Sequence, residues 1–222
     1  MRGRFITFEG GEGTGKSTQS RLLAERLRGM GLSVITTREP GGSPKAEAIR
    51  HVLLSGAAKP LGPEAEAMLF AAARDDHLNQ TIRPALEQGT WVVCDRFADS
   101  TRVYQGALGQ VDPRLITKLE KITVGDTRPD LTIILDVPAE VGLARAHARR
   151  GEGEVDRFEG ETLDFHTRLR DAFRQLALSE PERCVLVDSS EPKDKVTETI
   201  WAAVNRRLEP ATAPVCIEDA HS

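Results

Sequence analysis

Cysteine is scarce in this chain: three in 222 residues, at positions 94, 184 and 216, with no C-x-x-C pair and no Cys/His cluster. That scatter argues against structural zinc and predicts a reducing compartment. Positive charge is not in excess either. Lys and Arg number 30 against 34 Asp and Glu, a net charge of −4, so no basic footprint points to a nucleic-acid polymer as partner. No apolar run approaches membrane-spanning length, and a strand pattern begins almost at the first residue, leaving no room for a signal segment. The expectation is a soluble cytoplasmic protein with no membrane partner. The chain also lacks a G-x-G-x-x-G spacing, which removes a Rossmann dinucleotide reading, and it shows no internal repeat.

What is present begins at Gly10-Gly11-Glu12-Gly13-Thr14-Gly15-Lys16-Ser17, followed by Thr18. This fits G-x-x-x-x-G-K-[ST], the loop that wraps a nucleotide triphosphate such as ATP. Its glycines allow successive N–H groups to turn inward and form an anion nest. Lys16 supplies a positive charge at the transferred phosphate, and the Ser17 hydroxyl suits Mg²⁺. A helix starting here points its positive end at the same anions. The context agrees: Phe5-Ile6-Thr7-Phe8 reads as a buried strand, and Leu22, Leu23 and Leu27 give the following helix an apolar side.

At 39% hydrophobic residues the chain reads as one domain, 1–208, with an unstructured tail at 209–222. Strands are predicted at 4–9, 33–38, 91–95, 131–136 and 183–188, each nearly continuous in apolar residues. Helices are predicted near 17–30, 45–55, 63–88, 112–124, 138–150, 161–179 and 192–208. Nearly continuous apolar strands alternating with helices predict a three-layer α/β/α fold around a parallel five-stranded sheet. Ligands then bind at the carboxyl ends of the strands. Three strand ends carry polar motifs that should meet there: Gly10 onward, Arg38-Glu39-Pro40-Gly41-Gly42, and Asp95-Arg96-Phe97.

Asp95 ends a strand beside the phosphate loop, where an acid orients Mg²⁺, and Arg96 next to it can fork two hydrogen bonds onto a phosphate. The plain alternative is a solvated ion pair. Arg149, Arg150 and Arg157 flank Gly151-Glu152-Gly153-Glu154, the pattern of a closing flap at about 149–160 or of an ordinary charged loop. Phe70 and Arg74 share a helix face, able to stack a base and bond its carbonyl, or merely to sit in core and surface. Ser100, Thr101, Tyr104 and Gln105 either line a pocket or decorate a helix. Glu12 is an odd choice in an anion loop unless it faces away or accepts from a substrate hydroxyl. The five histidines show no ligand spacing or paired acid, and no chemistry is assigned to them.

Taken together, Phe8-Glu9-Gly10 through Thr18, Thr37-Arg38-Glu39-Pro40-Gly41-Gly42, Leu69-Phe70-Ala71-Ala72-Ala73-Arg74, Asp95-Arg96-Phe97, Ser100-Thr101 with Tyr104-Gln105-Gly106, and Asp156-Arg157-Phe158-Glu159 closely resemble the bacterial thymidylate kinases over residues 3–208. The resemblance implies transfer of the ATP γ-phosphate to dTMP by a homodimer. It implies that Arg96 holds the dTMP phosphate, Phe70 stacks on thymine, Arg74 reaches its carbonyl, and Glu12 meets the 3′-hydroxyl. Tyr104 would crowd a 2′-hydroxyl, Gln105 and Thr101 would address the base, and Arg38 and Ser100 would join the substrate site. No basic residue stands at positions 11–14, so the catalytic arginine must come from the flap. Phe97 and Ala73 stand where many relatives carry Tyr and an acid.

A deoxyribonucleoside kinase would need a carboxylate base for a neutral hydroxyl, and Glu39 stands where such a base could sit. A nucleotide switch or motor would need N-K-x-D or an acid after Asp95, and neither is present. A phosphate monoester acceptor, by contrast, is largely a dianion at neutral pH and needs alignment rather than a base.

Overall fold

In a computed structural model of the chain, the residues described are 2–150, 158 and 160–210. A five-stranded sheet runs β1 Phe5–Glu9, β2 Val34–Arg38, β3 Trp91–Asp95, β4 Leu131–Asp136 and β5 Cys184–Asp188. Its spatial order is β2-β3-β1-β4-β5, and the paired strands are parallel throughout. The central strands are buried along their length because helices cover both faces, which is why they read as continuous apolar runs.

On one face, Ile6, Phe8, Val93, Ile133 and Leu135 pack against Leu23 and Leu27 of α1 (Lys16–Gly29) and Ile200 and Val204 of α9 (Lys193–Leu208). The pleat sends Phe5, Thr7 and Glu9 to the other face. There Phe5 packs with Leu78, Ile82, Leu86 and Phe97. Burying one such aromatic side chain is worth about 1.5–3 kcal/mol.

The stretch expected as one helix at 63–88 is α3 (Pro63–His77), a wide π turn at Leu78–Ile82, and α4 (Arg83–Glu87). A helical segment outside the predicted helix ranges follows β3: α5 (Ala98–Thr101) runs into a second π turn at Arg102–Leu108. The remaining helices are α2 (Pro44–Leu54), α6 (Pro113–Thr123), α7 (Ala139–Arg150) and α8 (Leu163–Ser179). Among the described residues, no helix is long and apolar enough to cross a membrane. The expected flap at 149–160 and tail at 209–222 lie mostly outside the described residues.

Candidate active site

The phosphate loop links β1 to α1. Gly13 and Gly15 take positive φ, at 65° and 93°, and Gly15 caps α1 in left-handed backbone, so the helix's first N–H groups open onto the loop. Gly13 is also obligatory on space: a Cβ there would lie 1.9 Å from the Gly142 carbonyl oxygen of α7. Lys16 Nζ donates to the carbonyls of Gly10 at 3.1 Å and Gly11 at 2.6 Å, and the Thr14 hydroxyl donates to Gly11. Burial and the Arg96 charge lower the Lys16 ammonium to about 8.

The loop opens onto a cavity of about 350 Å³. Glu12, Gly13, Gly15, Lys16, Ser17, Thr18, Arg38, Phe70, Arg74, Asp95, Arg96, Ser100, Thr101, Tyr104, Gln105 and Arg149 all border it. Gly10, Gly11 and Thr14 do not border it; they shape the loop from behind through the Lys16 and Thr14 bonds. The Arg150 side chain and Arg157 fall outside the described residues. Arg38 also pairs with Glu47 at 3.0 Å.

Ser17 Oγ donates to Asp95 Oδ2 at 2.5 Å. A hydroxyl and a carboxylate held together at the mouth of the loop are hard oxygen donors, and Mg²⁺ takes few protein ligands beside phosphates and water. This pair therefore suits the ion, although no cluster of three His, Cys, Asp or Glu exists among the described residues.

Arg96 is a non-glycine residue at φ 67°, in left-handed backbone directly after β3. Such conformations persist where the surroundings over-determine them. Here its guanidinium pairs with Glu12 and donates to Gly10 O at 3.2 Å, and Tyr104 Oη donates to Glu12 at 3.2 Å. Burial alone would raise the Glu12 carboxyl, but the charges of Arg96 and Lys16 win and hold it at about 2. Burial would likewise depress the Arg96 guanidinium; Tyr104, Glu12 and Asp95 raise it instead. The oddly placed acid of the anion loop is thus paired with an arginine rather than turned to solvent.

Beneath them lies Glu9, absent from the sequence reading as a functional residue. It accepts from Phe97 N at 2.8 Å, Ser100 N at 3.2 Å and Ser100 Oγ at 2.7 Å, so it pins the start of α5 to β1. Burial and the neighbouring Asp99 push its carboxyl up to about 7. The helix it pins carries Ser100, Thr101, Tyr104 and Gln105 into the cavity.

Arg74 is buried, not a surface residue. Its Nε donates to Glu39 Oε2 at 2.8 Å, and its Nη2 donates to Thr101 Oγ1 at 3.0 Å and Phe97 O at 3.3 Å. Glu39 Oε1 lies 3.1 Å from His77 Nδ1. One histidine therefore does have a paired acid, correcting the expectation that none would. Both oxygens of the carboxylate that a nucleoside kinase would use as base are engaged. The cavity is further lined by Glu39, Pro40, Arg50, Leu54, Phe97 and Phe158. Arg50 donates to Pro40 O at 2.6 Å, and Phe158 stacks edge-on against Tyr104 at 5.1 Å.

A phosphate loop, an acid–hydroxyl pair at its mouth and a cavity bordered by arginines and aromatic rings fit a phosphotransferase of the P-loop class, and the chain's relatives make it an ATP-dependent nucleoside-monophosphate kinase. Within that class, the chain belongs to the thymidylate kinase family, whose model, described as "Thymidylate kinase", matches residues 8–200. It is 61% identical over 214 residues to the thymidylate kinase of Bradyrhizobium diazoefficiens, covering 96% of this chain and 94% of that one. It is 62% identical to that of Nitrobacter winogradskyi, covering 96% and 93%. The crystal structure of the Ehrlichia chaffeensis thymidylate kinase superposes with a TM-score of 0.74 at 33% identity, covering 92% of this chain and all of that one.

Proposed function

We propose that this enzyme moves the γ-phosphoryl group of ATP onto the phosphate of dTMP in one in-line step, with Ser17 and Asp95 as the residues that would hold Mg²⁺. The observation that carries this reading is the joining of the loop to the acceptor side through Glu12, Arg96 and Tyr104 in one cavity. The loop N–H groups and Lys16 hold the ATP phosphates. Arg96 holds the dTMP phosphate with its fork of donors while Glu12 fixes the guanidinium plane. Phe70 stacks on thymine, Arg74 bonds its carbonyl, Gln105 and Thr101 address the base, and Ser100 and Arg38 complete the acceptor site. Tyr104 fills the space beside the sugar. Ser17 and Asp95 are the residues that would hold Mg²⁺, which would supply charge neutralisation for the ATP phosphates. One of Arg149, Arg150 and Arg157 supplies the catalytic positive charge at the transferring group. No general base is required, because the attacking phosphate is already anionic.

This reading takes residues 1–208 as one kinase domain with a flap at about 149–160 and a tail at 209–222, acting as a cytoplasmic homodimer. ADP release by the purified protein with ATP and Mg²⁺ tests it against dTMP, dUMP, dCMP, dGMP, AMP and thymidine. A strong preference for dTMP is the expected result. Turnover of thymidine but not dTMP, or hydrolysis indifferent to every acceptor, would overturn it.

A further inference from the structure

Arg74 is held by a chain of bonds that starts at Thr37, outside the cavity lining. Thr37 Oγ1 lies 2.7 Å from His77 Nε2, His77 Nδ1 lies 3.1 Å from Glu39 Oε1, and Glu39 Oε2 accepts from Arg74 Nε at 2.8 Å. Glu39 and Arg74 side chains are each 4% exposed, and His77 is fully buried. A carboxylate oxygen accepts, so His77 Nδ1 donates to Glu39, and Nε2 shares a hydrogen bond with the Thr37 hydroxyl. The backbone is moulded around this chain. A Cβ on Gly42 would stand 2.3 Å from His77 Nε2 and 2.5 Å from Thr37 Oγ1, and Gly42 sits at φ 83°. The Thr81 hydroxyl clamps the Gly42 carbonyl at 2.8 Å.

An arginine side chain loses much rotamer freedom when immobilised, so a donor meant to discriminate between bases must be fixed before substrate arrives. Arg74 is fixed at two of its three nitrogens: Nε by Glu39, and Nη2 by Thr101 and Phe97 O. That leaves Nη1, with no partner among the described residues, for what the cavity holds. The rotation of the Glu39 carboxylate decides where Nε points, and the second oxygen of that carboxylate is the one His77 holds.

Resting on the reading of Arg74 as the donor to the thymine carbonyl, we infer that Glu39 and His77 are positioning residues that set base discrimination by fixing the Arg74 guanidinium. Thymine presents an oxygen where cytosine presents an amino group. A donor held still gains with the first and clashes, proton against proton, with the second. A donor that swings loses that contrast while its charge remains.

The test is the ratio of kcat/KM for dTMP to that for dCMP, in which the folded fraction of each preparation cancels. Glu39→Gln and His77→Leu are expected to lower this ratio about tenfold, the worth of roughly one hydrogen bond to a charged group, with KM for ATP unchanged. His77→Gln keeps an N–H donor toward Glu39 and is expected to restore most of the ratio relative to His77→Leu. If Arg74→Ala lowers the ratio but Glu39→Gln and His77→Leu leave it at the wild-type value, the positioning role is wrong while the base-reading role of Arg74 stands. If Arg74→Ala also leaves it unchanged, both fall. Equal losses toward dTMP and dCMP in the Glu39 and His77 variants would mark the network as purely structural and overturn the inference.

Discussion

Glu12 of the phosphate loop and Arg96 after β3 neutralise one another inside the cavity, Arg96 at the same time reaching the Gly10 carbonyl. Removing one partner of a buried pair strands the other, a loss of about 3–5 kcal/mol. Arg96→Ala is therefore expected to lower both stability and turnover with dTMP. Combining it with Glu12→Gln should return most of the stability in urea unfolding and none of the activity. Recovery of activity in the double variant would show that Arg96 acts only as a counter-charge.

Glu12 and Glu9 lie three residues apart and should respond to pH in opposite directions. Glu12, held at about 2, contributes stability that is complete above its ordinary value of 4.5 and is lost as pH falls toward 2. Glu9, raised to about 7, contributes stability that is complete below 4.5 and is lost as pH rises through 7. Unfolding free energies at pH 3.5, 6 and 8.5 check this. Glu12→Gln should flatten the acid side of the profile and Glu9→Gln the side between 4.5 and 7.

The Ser17–Asp95 contact predicts that Ser17→Ala and Asp95→Asn raise the Mg²⁺ concentration for half-maximal activity by about tenfold or more, with the isolated protein's melting temperature little changed. Titration of activity with Mg²⁺ at fixed ATP measures it. An unchanged midpoint in both variants would remove this pair from the metal site.

Gly42→Ala must place a methyl group against His77 and Thr37 in left-handed backbone. The expected cost is about 1–3 kcal/mol, read as a lower denaturation midpoint with unaltered urea dependence.

Much of this architecture is legible in the residues themselves. The runs at 91–95 and 131–136 are strands with those bounds, because a strand covered on both faces reads as a short, nearly continuous apolar run rich in Val and Ile. The segment after β3 was not legible. Ala98-Asp99-Ser100-Thr101 buries an acid and a threonine rather than an apolar stripe, and the chain then winds into a wide turn that breaks the 3.6-residue period. Glu9 read as the end of an apolar strand, and only pairing across the sheet brings it under Ser100. His77 and Glu39 are 38 residues apart, so their contact belongs to the topology and not to any local spacing.

Gly13 and Gly142 face one another with no side chain between: a Cβ on the first would meet the Gly142 carbonyl, and one on the second would meet the Glu12 carbonyl at 2.5 Å. Loop and helix therefore touch peptide to peptide. The distance from the phosphate loop to the backbone of Arg149, two turns further along α7, is therefore set by backbone thickness and helical rise, like the marks on a ruler.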